Sequence, residues 1–248
     1  MGPASARPER APQLEFAPDR LGALARDAGV ELTPEACARL LAYGDLLLRW
    51  NRVHNLTAIS APAELLTHHL LDSLAIVAPL EGALSARGIP TGDTLRILDA
   101  GSGGGLPGIP LAIARPRWQL TLVDAVEKKT AFLVHARGEL KLPNMEVRQA
   151  RLESLQGAGA TASFDVIVAR AFSSLADFVA LTRDLIKPGG IWAAMKGRRP
   201  DDEMRALPDG VEIVDTVTLR VPMLDEQRHL VLLQVNQANR PAAASLDK

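Results

Sequence analysis

The hydrophobic residues change their spacing along the chain near residue 92. From Leu21 to Leu80 they recur every three or four positions, which predicts amphipathic helices. One helix opens at Thr33-Pro34-Glu35, where the threonine can cap the helix and the proline suits its first turn. A second helix is predicted from Pro62 to Val77, and a turn-rich stretch over 85–93 ends this helical part.

Beyond residue 93, short apolar runs alternate with helical segments. The runs predict strands at 95–99, 118–124, 145–148, 164–169, 191–195, 211–219 and 229–235. Helices are predicted at 107–114, 126–140 and 175–186, the last of them closed by residues 187–190. Strands that alternate with helices indicate a parallel sheet covered on both faces, and the last two strands indicate an antiparallel end. The sequence therefore predicts an α/β fold with a Rossmann-like, mostly parallel, seven-stranded sheet.

This change of pattern divides the chain into four predicted segments. Residues 1–18 are rich in proline and lack periodicity, so we expect a flexible tail. Residues 19–92 form a helical N-terminal extension, residues 93–238 form the cofactor-binding domain, and residues 239–248 form a C-terminal tail.

Composition and charge narrow the class of protein. With 47% hydrophobic residues the chain is not a disordered protein, and no apolar run reaches the roughly 18 residues of a membrane helix. The single cysteine, Cys37, allows neither an internal disulfide nor a multi-thiolate metal site. The N-terminal residues lack the apolar core of a secretory signal, so we expect a cytoplasmic protein. The 28 basic and 29 acidic residues nearly balance, and any contact with nucleic acid must be a local patch.

A glycine-rich loop over residues 99–108 carries the strongest chemical signal. It follows a predicted strand and precedes a predicted helix, and Gly101, Gly103 and Gly105 let the backbone turn sharply and approach a ligand. Asp124 ends the next strand, where a carboxylate can accept hydrogen bonds from ribose hydroxyls. The pattern predicts a site for a nucleoside-containing cofactor.

Two cofactor classes fit this loop. Gly103-x-Gly105-x-x-Gly108 matches the dinucleotide fingerprint, whereas Asp99-x-Gly101-x-Gly103-x-Gly105 matches the version found in methyltransferases. A carboxylate at Asp99 would repel a pyrophosphate but attract the amino group and sulfonium of S-adenosylmethionine. We therefore favour S-adenosylmethionine, with an NAD(P)-dependent oxidoreductase as the alternative.

The residues after the fourth strand bear on the methyl acceptor. Cys37 lies in the helical extension, which argues against methylation at pyrimidine C5, and no Asn-Pro-Pro-Tyr or Asp-Pro-Pro-Tyr follows the strand. Ala169-Arg170-Ala171-Phe172 stands there instead. An acceptor with its own lone pair, such as a guanine ring nitrogen, needs no general base, and Arg170 would position the substrate or the donor.

Several segments occur together in an order that resembles a known family. They are Trp50-Asn51-x-x-x-Asn55-Leu56-Thr57, His69-Leu70-Leu71-Asp72-Ser73, the glycine loop, Ala169-Arg170-Ala171-Phe172, Lys196-Gly197 and Arg228-His229-Leu230. Over residues 20 to 236 the chain resembles the bacterial 16S ribosomal RNA guanine-N7 methyltransferases, also called glucose-inhibited division protein B. The resemblance implies methyl-donor contacts at Gly101, Leu106, Leu152, Glu153 and Arg170, and 16S rRNA or the small ribosomal subunit as partner.

Basic residues near two strand ends are candidate contacts to rRNA phosphates. They are Lys196, Arg198, Arg199 and Arg228. We expect Asn51, Asn55, His68, His69 and Asp72 to form hydrogen bonds that brace the extension against the sheet, and no metal site. The prediction is a monomeric enzyme that moves a methyl group from S-adenosylmethionine to guanine N7 of 16S rRNA. A non-catalytic RNA- or nucleotide-binding module is the second alternative.

Overall fold

A computed structural model describes Leu14, residues 16–155 and residues 162–236. Seven strands form one sheet in the order β3-β2-β1-β4-β5-β7-β6. Their bounds are β1 Arg96–Ala100, β2 Gln119–Asp124, β3 Met145–Gln149, β4 Phe164–Arg170, β5 Ile186–Lys196, β6 Val211–Thr218 and β7 His229–Val235. Strands β1 to β5 pair in parallel, and β7 pairs antiparallel with both β5 and β6. The predicted Rossmann-like, mostly parallel sheet is confirmed.

Helices cover both faces of this sheet. They are α1 Pro18–Asp27, α2 Pro34–His54, α3 Pro62–Leu65, a π-helix Leu66–Leu71, α4 Asp72–Leu74, α5 Val77–Ser85, α6 Gly108–Ala114, α7 Glu127–Glu139, a 3₁₀-helix Leu152–Leu155, α8 Leu175–Thr182 and α9 Asp201–Arg205. Neighbouring residues of β1 show the two-sided burial, since Ile97 packs in one apolar cluster and Leu98 in the other. Such strands are apolar on both faces, as a covered parallel sheet requires.

The helical extension shares its core with one face of the sheet. One continuous apolar cluster runs from Leu21 in α1 to Leu232 in β7. Leu14 also belongs to this cluster, and its backbone N–H donates to Asp45 Oδ1 at 2.6 Å. The rest of the tail predicted over 1–18 lies outside the described residues, except for Phe16 and Ala17 and the first residue of α1. The tail predicted over 239–248 lies wholly outside them.

Two predicted helices differ from the structure. The helix expected over 175–186 ends at Thr182, and residues 187–190 lie inside β5 rather than at a helix end. Ile186 already pairs with Phe164 across the sheet, and the register shifts before the next pair, so glycines at this point accommodate an irregular strand.

The helix expected over 62–77 is a composite of α3, the π-helix and α4. A π-turn leaves backbone groups displaced from the regular α-helical ladder. Here His68 within the π-helix turns its carbonyl oxygen to Arg170, which donates to it at 2.9 Å. The periodicity of the sequence carries no signal for this local widening.

The register of the parallel strands assembles the site. Ala100 lies opposite Val123, and Asp99 lies opposite Val168. The carboxyl ends of β1, β2 and β4 therefore meet at one edge of the sheet, where open α/β sheets bind ligands. This edge carries the glycine loop, Asp124 and Arg170.

Candidate active site

The glycine loop has a backbone that only glycine adopts readily. Gly101, Gly103 and Gly105 have φ angles of +73°, +58° and +87°. A Cβ at Gly101 would lie 4.0 Å from Phe172 Cε2, and a Cβ at Gly103 would lie 4.0 Å from the Gly101 carbonyl oxygen, so at these two residues it would make only ordinary van der Waals contact. At Gly105 a Cβ would come within 2.5 Å of Ile109 Cδ1, which makes this glycine necessary for packing beneath the loop.

Asp124 joins the loop to the second strand. Its Oδ2 accepts from the Gly103 N–H at 2.9 Å, and its Oδ1 accepts from the Val126 N–H at 2.9 Å. Lys129 Nζ lies 3.7 Å from Oδ2. Each carboxylate oxygen can accept a further hydrogen bond, so the group remains able to receive ribose hydroxyls. The structure thus brings together the two features that the sequence singled out.

Asp99 lies below the loop rather than in contact with a ligand site. Its side chain is fully buried, and its Oδ2 accepts from the Gly108 N–H at 2.9 Å. Burial raises the pKa of Asp99 to about 7. The expectation that Asp99 faces the donor's amino group is wrong, because the loop covers the carboxyl group and uses it as an internal support.

The extension supports the same loop from the other side. The Tyr43 hydroxyl in α2 donates to the Gly104 carbonyl oxygen at 2.6 Å in a buried contact. A Cβ at Gly104 would lie 3.1 Å from Leu47 Cδ1, so α2 packs closely on the loop backbone. The sequence analysis missed this role of Tyr43. The signal was present, since a tyrosine on an apolar helix face requires a partner for its hydroxyl.

Three further predicted donor contacts lie beside Asp124 or in the loop. Leu152 and Glu153 open the 3₁₀-helix after β3, and the Ala150 N–H donates to the Asp124 carbonyl oxygen at 3.1 Å. Leu152 is buried and Glu153 is exposed, which offers an apolar surface and a polar group side by side. Leu106 is buried within the loop. The predicted donor residues therefore converge on one edge.

Arg170 ends β4 and turns its guanidinium toward the extension. It donates to the His68 carbonyl oxygen and to His69 Nδ1, both at 2.9 Å, and to Asp72 Oδ2 at 3.4 Å. The hydrogen bonds expected between the extension and the sheet are thus present. They also fix Arg170 at the position where the sequence placed it.

A chain of hydrogen bonds extends from Arg170 into the helices. His69 Nδ1 lies 2.9 Å from Arg170 NH2, which only donates, and 2.9 Å from the His68 carbonyl oxygen, which only accepts, while Nε2 lies 2.7 Å from Thr57 Oγ1. Burial and Arg170 lower the pKa of His69 to about 4, so the ring is neutral at pH 7. Asn51 Oδ1 in turn accepts from the Thr57 N–H at 2.8 Å. This chain of hydrogen bonds holds the Arg170 side chain from the side of the extension.

Asn55 was expected to form a hydrogen bond between the extension and the sheet. In the structure it takes a left-handed conformation as the C-cap of α2.

A cavity of about 360 Å³ opens beside Arg170 at the carboxyl edge of β4 and β5. Its lining includes Asp72 from the extension and Lys196, Gly197 and Arg228 from the sheet. The volume lies in the range of small-molecule sites. The cavity therefore offers a charged pocket at the same edge of the sheet as the loop, and Phe172, which follows the lining residue Ala171, lies 4.0 Å from a Cβ placed on Gly101.

The four predicted RNA contacts differ in how free their charges are. Lys196 Nζ donates to Glu203 Oε2 at 2.8 Å, and Arg199 Nε lies 2.8 Å from Asp201 Oδ1. Arg228 is ion-paired with Asp72 and Glu226. Arg198 is exposed, and within the part of the chain that the structure describes its side chain has no ion pair or hydrogen bond. Only Arg198 offers a phosphate an uncompensated charge.

Two features are absent from the described residues. They contain no group of three or more His, Cys, Asp or Glu side chains arranged to hold a metal ion. Likewise, none of the helices within 14, 16–155 and 162–236 is long and apolar enough to cross a membrane.

The chain is similar to known proteins along most of its length. The family model described as rRNA small subunit methyltransferase G (GidB) matches residues 36–231. A ribosomal RNA small subunit methyltransferase G from Burkholderia lata is 52% identical over 209 residues, which cover 84% of this chain and 88% of that protein. The protein of the same name from Burkholderia vietnamiensis is 51% identical over 211 residues, covering 85% and 89%. The match includes both the extension and the sheet.

Proposed function

Because this chain belongs to the rRNA small subunit methyltransferase G family, we propose that it transfers the methyl group of S-adenosylmethionine to N7 of a guanine in 16S rRNA. The observation that supports this most directly is that the glycine loop, Asp124 and the charged cavity at Arg170 all lie at the carboxyl edge of one sheet. A donor site and an acceptor site must share one edge for direct transfer. The family is one of methyltransferases, so the chain is an enzyme of that class, and a nicotinamide-dependent oxidoreductase is no longer an alternative.

The residues of the loop edge fit S-adenosylmethionine. We call this edge, comprising residues 99–108, Asp124, Leu152 and Glu153, the donor half. Gly101, Gly103, Gly105 and Leu106 would cradle the methionine part, since the positive φ angles of the three glycines turn the backbone sharply and no side chain of theirs stands between it and a ligand. Asp124 would hold the ribose, and Leu152 and Glu153 would contact the adenine. When bound, S-adenosylmethionine supplies an electrophilic methyl carbon on a sulfonium.

The cavity beside Arg170 is the proposed site of the acceptor base. We call its charged lining, Asp72, Arg170, Lys196 and Arg228, the acceptor half. Guanine N7 carries a lone pair at neutral pH and needs no proton removed before attack. The task of Arg170 is then to position the base, and positioning alone accounts for a large part of such a rate. A cation fixed by three acceptors is a poor proton acceptor, in agreement with a mechanism without a general base.

The RNA itself would reach the cavity over its basic rim. Arg198 would contact a phosphate directly, whereas Lys196, Arg199 and Arg228 would exchange an acidic partner for a phosphate. We propose the small ribosomal subunit or its 16S rRNA as partner, the cytoplasm as the place of action, and a monomer as the active form, because one chain supplies both halves.

Mass mapping of rRNA tests the proposed function. Unmethylated small subunits and protein-free 16S rRNA are incubated with the enzyme and S-adenosylmethionine, and the modified nucleotide is located by mass. We expect one N7-methylguanosine. Calorimetric titration should show binding of S-adenosylhomocysteine and none of NAD. Donor binding without transfer to either RNA would favour the non-catalytic module instead.

The pH dependence of the rate tests the absence of a general base. With RNA and donor both saturating, the single-turnover rate should be flat between about pH 6 and 8.5, since no group must lose a proton. A tenfold rise in rate per pH unit would require a titrating base and contradict this mechanism.

A further inference from the structure

The proposed reaction raises a problem of selectivity. Adenine and guanine both carry N7 with a free lone pair, so attack on the methyl group does not by itself distinguish the two purines. They differ at the Watson–Crick edge, where guanine presents two donors, N1–H and the N2 amine, and adenine presents an acceptor at N1. An enzyme that selects guanine therefore needs acceptor atoms at this edge of the base.

Asp72 is the acidic member of the cavity lining. Among the described residues that line the cavity, the other charged side chains are Arg170, Lys196 and Arg228, which only donate. The Asp72 side chain is 5% exposed, and its Oδ1 is buried without a hydrogen-bond partner within the described structure. Arg228 Nε lies 3.3 Å from this oxygen as an ion pair, and a carboxylate oxygen that makes no well-formed hydrogen bond keeps lone pairs for another donor.

We propose that Asp72 reads the acceptor base by accepting hydrogen bonds from guanine N1–H and the N2 amine. The inference rests on the proposed function and deepens it, since it assigns the selection of guanine to one residue of the extension. Two carboxylate oxygens match two parallel donors, as in other bidentate carboxylate contacts. Adenine would place its N1 lone pair against a carboxylate oxygen, and this repulsion rejects the wrong purine.

The surrounding arginines explain how the buried Asp72 carboxylate can stay charged and accept hydrogen bonds from the base. Arg170 NH1 lies 3.4 Å from Oδ2, and Arg228 Nε lies 3.3 Å from Oδ1. Burial raises the pKa of Asp72, whereas both guanidiniums act in the opposite direction and favour the charged form. Arg228 NH2 also lies 2.9 Å from Glu226 Oε2, so this arginine keeps a partner when it yields Oδ1 to the base.

The first test compares nucleotides with the unaltered enzyme. Small subunits are reconstituted with 16S rRNA that carries guanosine, inosine or adenosine at the position found by mass mapping, and kcat/KM is measured for each. Inosine keeps N7 and N1–H but lacks the N2 amine, so we expect kcat/KM to fall roughly tenfold or more, and further for adenosine. Equal kcat/KM values for guanosine and inosine would overturn the inference, irrespective of the results with variants.

The second test changes Asp72 itself. In Asp72→Asn the amide can donate to adenine N1, which replaces the repulsion by a hydrogen bond, so the guanosine-to-adenosine ratio of kcat/KM should fall at least about tenfold. A purely structural role would lower both rates and leave this ratio unchanged. Glu226→Gln is the matched control, because it removes the exposed partner of Arg228 and should keep the ratio of the unaltered enzyme. An unchanged affinity for S-adenosylhomocysteine shows that each variant is folded.

The outcomes separate this inference from the proposed function. Absence of N7-methylguanosine with the unaltered enzyme would overturn both. Normal N7 methylation together with an Asp72→Asn variant that keeps the purine ratio would overturn the role of Asp72 alone.

Discussion

The donor half and the acceptor half are built from parts that lie at very different distances along the chain. In the donor half, Asp99 accepts a hydrogen bond from a backbone N–H nine residues away in the sequence, and Asp124 accepts one from a backbone N–H 21 residues away. In the acceptor half, Arg170 holds partners 98 to 102 residues away in the extension. The donor half thus gathers residues of neighbouring strands within 99–153, with Tyr43 of the extension as an added support, whereas Arg170 and Asp72 of the acceptor half meet only once the extension packs on the sheet. We expect substitutions in the donor half to change donor binding and stability. Substitutions in the acceptor half should instead change how the acceptor base is positioned.

The largest expected effect concerns packing beneath the donor loop. Gly105→Ala places a Cβ within 2.5 Å of Ile109 Cδ1 at a φ of +87°. Backbone strain and overpacking should together lower the free energy of unfolding by about 2–5 kcal/mol, measured by urea denaturation. Gly138→Ala is the control, because Gly138 lies in α7 with no atom within 4 Å of the added Cβ. That variant should be more stable by about 0.5–1 kcal/mol. Equal stability of the two variants would contradict a loop held by tight packing.

The next effect isolates the acceptor half. Arg170→Lys keeps the charge but loses the fork that reaches the His68 carbonyl oxygen and His69 Nδ1 together. With RNA and donor saturating, the single-turnover rate should fall about 10- to 100-fold, while the affinity for S-adenosylhomocysteine stays within about threefold.

Arg115→Lys provides the matched control for that change. Arg115 also forms a forked contact, to Glu81 at 2.6 and 3.0 Å, but outside both halves of the site. We expect its rate to match the unaltered enzyme. Equal losses from the two substitutions would mean that Arg170 acts through stability alone.

The same contrast explains what the sequence could and could not predict. The loop, its glycines and Asp124 follow from a motif with a fixed spacing between a strand and a helix, and the strand alternation determines which edge they share. The partners of Arg170 do not follow, because the π-helix that turns the His68 carbonyl toward it leaves no trace in the apolar periodicity. Pairing of Lys196 with Glu203, seven residues later, likewise depends on how the chain turns after β5. The placement of Asp99 was wrong for a related reason, since a spacing motif does not say on which side of the loop a carboxyl group lies.

A third prediction uses Asp99 of the donor half and His69, which contacts Arg170 of the acceptor half, and the pH dependences of these two groups have opposite signs. The folded pKa of His69, about 4, is below its ordinary 6.5, so the unfolded chain binds more protons between these values and stability is lost as pH falls. The folded pKa of Asp99, about 7, is above its ordinary 3.8, so the folded chain binds the extra proton and stability is lost as pH rises. Each effect approaches about 1 kcal/mol per pH unit between pH 4.5 and 6.

Denaturation series at several pH values separate the two effects. The stability advantage of the unaltered protein over His69→Gln should shrink as pH falls from 6.5 to 4.5. Its advantage over Asp99→Asn should shrink as pH rises from 4.5 to 6.5. If both differences moved in the same direction with pH, one of the two burial arguments would be wrong.

The smallest expected effect concerns the rim of the acceptor half, where a phosphate contact contributes little but leaves a distinctive signature. Arg198 is exposed and unpaired within the described residues, so a phosphate that binds it displaces salt ions and no acidic side chain. Arg198→Ala should weaken RNA binding equally for all sequences and make the slope of log K against log salt shallower by roughly one contact.

Arg199 lies next to Arg198 but pairs with Asp201 at 2.8 Å, so Arg199→Ala should change the slope less. Arg117→Ala is the control, since Arg117 is also exposed and, like Arg199, paired with an aspartate, Asp93 at 2.9 Å, but lies before β2, at the opposite edge of the sheet from the loop. Binding is measured by fluorescence anisotropy with a labelled 16S rRNA fragment at several salt concentrations. The order Arg198, Arg199, Arg117 in loss of slope would place the RNA on the rim of the cavity, and an equal loss from Arg117→Ala would move the RNA away from it.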